Sequence, residues 1–103
     1  MKLWVDDERT SPDDSWTVAK TGGQAAIYLT MYRDDLEEVS LDHDLGEGAN
    51  GYNVLAFMIA EKIWPKVLTI HTSNPPARKR MLAAANAEAP ADVEIYVITN
   101  HLT

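Results

Sequence analysis

A chain of 103 residues has room for one domain, and its 46% hydrophobic content supports a single ordinary core. The absence of cysteine excludes disulfides, thiolate nucleophiles and zinc–thiolate sites together, and no apolar run approaches the roughly 20 residues that span a bilayer. A formal net charge of −7 argues against non-specific binding to duplex nucleic acid, which draws its affinity from a basic face.

The first apolar run, Leu3-Trp4-Val5, reads as a short buried strand. It turns acidic at Asp6 after three apolar residues, so it lacks the core of a signal peptide. A soluble, cytoplasmic protein without membrane attachment is expected. Trp16-Thr17-Val18-Ala19 is a weaker run, suited to an edge strand. Gly23 to Tyr32 carries apolar residues at helical spacing, and Val39-Ser40-Leu41 is the next strand. Asn50 is a good cap for a helix running to Ile63, with Val54, Leu55, Met58 and Ile59 on one side. Val67-Leu68-Thr69-Ile70 follows as a strand. Asn74-Pro75-Pro76 opens a third helix, with prolines where a first turn tolerates them, and Met81, Leu82 and Ala85 line one face. Val93 to Ile98 is the last strand.

Strands alternating with helices predict an α/β domain over residues 1–103, with a parallel sheet covered by helices on both faces. Thr103 follows the last strand so closely that a final helix is expected to be truncated, absent or supplied by another chain. Apolar surface left there makes a homodimer one expected partner arrangement.

Right-handed crossovers place the carboxyl ends of all strands on one edge, where open parallel sheets bind ligands. Asp6, Asp7, Glu8 and Arg9 follow the first strand there. Asp42, His43, Asp44, Leu45 and Gly46 follow the third, and His71, Thr72, Ser73 and Asn74 follow the fourth. Carboxylates about 4 Å apart repel by roughly 1 to 4 kcal/mol, so Asp6, Asp7 and Asp42 must protonate, pair with a cation or hold a metal. Hard oxygen ligands suit Mg²⁺ or another divalent cation, with Asp44 available to complete the shell or to orient a histidine. The bland alternative is a salt-bridged cluster neutralised by Arg9 or Arg78. Most other charge reads as solvated surface, including Arg78-Lys79-Arg80 apart from an inward Arg78, and Asp34-Asp35-Leu36-Glu37-Glu38. A lone strand histidine is usually structural, and the aspartates around His43 and His71 are what single those two out. Trp4, Trp16 and Trp64 read as packing residues.

These strand ends resemble the receiver (CheY-like) domains of two-component signalling. The resemblance implies a flavodoxin-like sheet of order 2-1-3-4-5, an Mg²⁺-binding pair at Asp6 and Asp7, a phosphoacceptor at Asp42 and a phosphate-contacting hydroxyl at Thr72 or Ser73. The receiver lysine after the fifth strand has no counterpart in Val97-Ile98-Thr99-Asn100-His101, and His43 and His71 have been added. The strings Val5-Asp6-Asp7-Glu8-Arg9, Ser40-Leu41-Asp42-His43-Asp44-Leu45-Gly46 and Ile70-His71-Thr72-Ser73-Asn74-Pro75 are similar to the cyclic-phosphate processing receiver domains.

That likeness implies a metal-assisted phosphoesterase acting on a cyclic-phosphate nucleotide or RNA end. His43 and His71 are its candidate acid/base pair, since an unperturbed histidine titrates near about pH 6.5. Arg9, Thr72, Ser73, Asn74 and Arg78 are its candidate phosphate donors, and Asp6, Asp7, Asp42 and Asp44 its candidate metal ligands. Two other classes stay open. One is a module that binds a phosphorylated nucleotide, a phosphorylated signal or a protein partner without turnover. The other is a receiver that accepts phosphate on Asp42.

Overall fold

The computed structural model describes residues 1–45 and 50–98. Five four-residue strands, β1 (Lys2–Val5), β2 (Trp16–Ala19), β3 (Glu38–Leu41), β4 (Val67–Ile70) and β5 (Glu94–Val97), form one parallel sheet of order β2-β1-β3-β4-β5. Three helices, α1 (Gly22–Met31), α2 (Gly51–Glu61) and α3 (Pro75–Glu88), supply the crossovers. This is a receiver-like α/β fold in the expected strand order. None of these helices is long and apolar enough to cross a membrane.

Local chemistry starts each helix. Thr21 accepts from the Gln24 amide at α1. Asn50 and Asn53 form a reciprocal capping box at α2, and Asn74 accepts from the Ala77 amide ahead of Pro75 and Pro76 at α3. The expected bounds shift by one or two residues, because the caps lie outside the helices they start. Helix α2 ends on Lys62, which takes left-handed backbone at φ 57°.

The strands align in phase, so Lys2 stands level with Trp16 and Glu38, and through β3 and β4 with Val67 and Glu94. Alternation then assigns one face to Leu3, Val5, Ala19, Val39, Leu41, Leu68 and Ile70. All of these are fully buried in one core with Ala25 and Leu29 of α1, Val54, Leu55 and Met58 of α2, and Met81 and Ala85 of α3. The opposite face, with Trp4, Ser40 and Thr69, contributes nothing to that core.

The three described helices therefore lie on one face, which corrects the expectation of helices on both. A loop, not a helix, connects β1 to β2. Each remaining crossover steps the same way along the sheet, and right-handed crossovers stepping one way share a face. Any final helix falls outside the described residues, as do Gly46, Thr99, Asn100 and His101.

Candidate functional site

Asp6 leaves β1 with its amide on the Ala19 carbonyl and turns its carboxylate inward, fully buried. Its Oδ1 accepts the backbone N–H of Glu8 at 2.8 Å and of Arg9 at 2.9 Å, an Asx-type turn that folds the chain over the sheet edge. Its Oδ2 meets Nε2 of His71 at 3.0 Å. Burial pushes this carboxyl up, but the His71 hydrogen bond and the two amides outweigh it and hold the pKa below its ordinary value.

His71, 1% exposed, bridges two elements from the end of β4. Its Nδ1 lies 2.7 Å from the Ser40 hydroxyl on β3. Its ring stacks on Trp4 at 4.0 Å between centroids with 9° between planes, and the Trp4 indole N–H donates to the Arg9 carbonyl at 3.0 Å. Ser40, His71 and Asp6 have the composition of a hydrolase triad. However, Ser40 is buried one residue inside the end of β3, so its hydroxyl orients the imidazole and cannot reach a ligand.

Asp42 follows β3 and is buried beside Asp6. It accepts the His43 amide at 2.8 Å, and the Thr72 hydroxyl beside it favours its charged form. Burial, reinforced by the charge of Asp6, still pushes its carboxyl up. Gly51, the first residue of α2, sits against the same backbone. A Cβ there would meet the Asp42 carbonyl oxygen at 1.9 Å and the His43 Cα at 2.9 Å. Only glycine lets α2 start this close to the site.

Oxygens of Asp6, Asp7 and Asp42 all lie within 4.8 Å of one another. Among the described residues the half-buried Asp7 carboxylate makes no hydrogen bond, so its lone pairs are available. With one carboxylate anchored by N–H donors, one penalised when charged and one unsatisfied, the donor set fits a hard divalent cation. Asp44 is not in this group; it is exposed and pairs with Nδ1 of His43 at 2.9 Å.

The candidate phosphate donors gather around the end of β4. Arg9 reaches the His71 carbonyl with Nη1 at 3.4 Å, and Arg78 reaches the Thr72 carbonyl at 3.2 Å. Each guanidinium keeps further N–H groups. Thr72 is buried on Asp42, Ser73 is exposed, and the Asn74 oxygen is committed to capping α3. Trp4, Ser40 and Gly51 were not expected here. Only Ser40, a hydroxyl in an apolar strand in phase with Trp4, carried any sequence signal.

The two buried carboxyls predict opposite pH signatures. Asp42, whose folded pKa is raised, weakens the fold where it is ionised. Asp42→Asn is thus expected to stabilise the metal-free chain at pH 7, with the gain vanishing as pH falls and the native carboxyl protonates. Asp6, with a lowered folded pKa, contributes stability above its ordinary value of 3.8 that is lost as pH falls through the folded value, so Asp6→Asn destabilises at pH 7. Thermal melts of both variants from pH 3 to 8 check this, and an Asp42→Asn chain less stable than wild type at pH 7 contradicts it.

No curated protein and no solved structure matches the chain. Residues 1–87 match the family model described as the cyclic-phosphate processing receiver domain, a span that includes Asp6, Asp7, Asp42, His43, His71 and Thr72. The chain belongs to the cyclic-phosphate processing receiver domain family.

Proposed function

We propose that this protein is a metal-assisted phosphoesterase that opens a cyclic phosphate on a nucleotide or RNA end at the carboxyl edge of its sheet. The observation that carries this reading is the convergence of Asp6, Asp7 and Asp42 to within 4.8 Å, flanked by Arg9 and Arg78. Asp6, Asp7 and Asp42 would hold Mg²⁺, which would supply Lewis-acid polarisation for a phosphoryl oxygen and for the attacking water. Arg9 and Arg78 hold the phosphate through their spare N–H groups. His43, oriented by Asp44, takes the proton of the attacking water. The water oxygen bonds to phosphorus as one phosphorus–ribose oxygen bond breaks. The departing oxygen takes a proton from solvent at the open edge. His71 acts as a positioning residue, because both of its nitrogens already serve Asp6 and Ser40.

The test incubates 2′,3′-cyclic nucleotides with the protein, with and without Mg²⁺, followed by thermal shift and mass spectrometry. The expected product carries one added water and forms only with Mg²⁺. His43→Ala should lower turnover by about 10²–10⁴-fold in a chain that circular dichroism shows to be folded. Equal turnover by wild type, His43→Ala and Asp42→Asn would sink the proposal. A thermal shift without product would instead identify a binding module.

One observation favours a second reading. Asp42 sits at the end of β3 with a hydroxyl from Thr72 on its carboxylate, a placement that also suits phosphate acceptance. Acid-labile phosphate on wild type, absent from Asp42→Asn after a small phosphodonor and Mg²⁺, would establish it.

A further inference from the structure

Among the described residues, no helix packs on the sheet face that carries Trp4 and Ser40. Its apolar side chains remain open at both edges: Val18 on β2 is 37% exposed, and Tyr96 on β5 and Ile98 just beyond it are 52% and 42% exposed. Two in-phase rows cross this face. One runs Trp16, Lys2, Glu38, Val67, Glu94, and the other Val18, Trp4, Ser40, Thr69, Tyr96.

The charge on the first row is divided. Lys2 holds its ammonium 4.9 Å from the Trp16 ring centroid on the β2–β1 side. Glu38 stands at the centre, with its carboxylate on the Thr69 hydroxyl, and Glu94 stands at the far edge, bonded by the Tyr96 hydroxyl at 3.0 Å. One side is cationic and aromatic, the other anionic with an exposed tyrosine.

We propose that this face binds a second copy of the chain, through a two-fold axis parallel to the strands that lies above β3, midway between the two facing sheets. An isologous interface requires a surface that complements its own rotated image. Rotation about this axis lays β2 over the partner's β5 and β1 over the partner's β4. Lys2 then faces the gap between Glu38 and Glu94 of the other copy, about 4.8 Å to either side, while Val18 meets Tyr96. Symmetry repeats both contacts. The two Glu38 carboxylates near the axis are flanked by the two lysines, which offsets their repulsion. The carboxyl edge with Asp6 and Asp42 stays outside the contact, so assembly and ligand handling are separable.

Five strands of four residues span roughly 24 by 13 Å. An interface this small belongs to the weak, transient class and loosens with salt. Sedimentation equilibrium up to about 1 mM should show a reversible monomer–dimer equilibrium for wild type, with a dissociation constant in the micromolar-to-millimolar range. Lys2→Glu and Glu94→Lys should each weaken it at least about tenfold. Mixing those two variants restores both pairs between positions 2 and 94 and should recover most of the association, short of wild type because one lysine beside the two Glu38 carboxylates is lost. Circular dichroism confirms that each variant is folded. A wild type that stays monomeric at about 1 mM, or variants that associate as wild type does, would overturn the proposal, and so would failure of the mixture to recover.

Discussion

Gly51→Ala should lose about 3 kcal/mol or more of stability and most of the metal response at once. The added Cβ would sit 1.9 Å from the Asp42 carbonyl oxygen and 2.7 Å from its carbonyl carbon, both backbone atoms without a rotamer to escape into. To restore contact distance, either the first turn of α2 or the Asp42–His43 segment must move by more than 1 Å. The Gly51 amide donates to the His43 carbonyl at 2.8 Å, so that movement also strains a bond joining helix to strand end. Overpacking of this kind costs about 1–3 kcal/mol where neighbours can adjust, and more where they are backbone. A displacement near 1 Å at the site costs on the order of 10²-fold in a positioned reaction. Denaturant titration and Mg²⁺-dependent thermal shift check the two effects separately. A variant with wild-type stability would show that a side chain fits between α2 and the Asp42 carbonyl.

His71→Ala is the second large effect. It removes a ring stacked on Trp4 and leaves the Asp6 Oδ2 and the Ser40 hydroxyl buried without their shared partner. Truncating a buried ring costs about 3–5 kcal/mol, and each orphaned polar group adds to that. Because the Ala variant is expected to be only marginally folded, His71→Gln is the informative companion. Its amide can donate to Asp6 in place of Nε2 but cannot carry a proton between water and substrate. If His71 positions Asp6, calorimetry should give a metal affinity about 10–100-fold weaker for the Ala variant, and the Gln variant should recover both affinity and turnover. A Gln variant that binds metal as wild type does yet has lost turnover would return His71 to a proton-transfer role.

The expected elements were found close to where apolar period and caps placed them. Asn50 and Asn74 started their helices because an Asx side chain satisfies amides three residues on, a purely local matter. The acidic site was legible for a similar reason. Parallel crossovers bring every strand end to one edge, so listing the residues after each strand was enough to gather Asp6, Asp7 and Asp42. The partners of the histidines were not legible. His71 meets Ser40 across 31 residues and Asp6 across 65, and those distances depend on strand register and on how Trp4 leans over β3. The choice for Asp44, open in the sequence between the metal shell and a histidine, fell to His43, and the spacing of Gly51 from Asp42 in sequence says nothing of a helix touching its carbonyl.

By itself, then, the sequence determined the parallel α/β class, the helix starts and the edge at which chemistry collects, since periodicity, capping and crossover handedness are local or general. Only the tertiary structure decided which sheet face the helices cover, because that turns on the direction of each crossover step and on β1 reaching β2 without a helix. It also decided that one buried imidazole holds Asp6 while the other pairs with an exposed aspartate. That division arises from side chains meeting across the sheet, where a pairing is set by register and packing together.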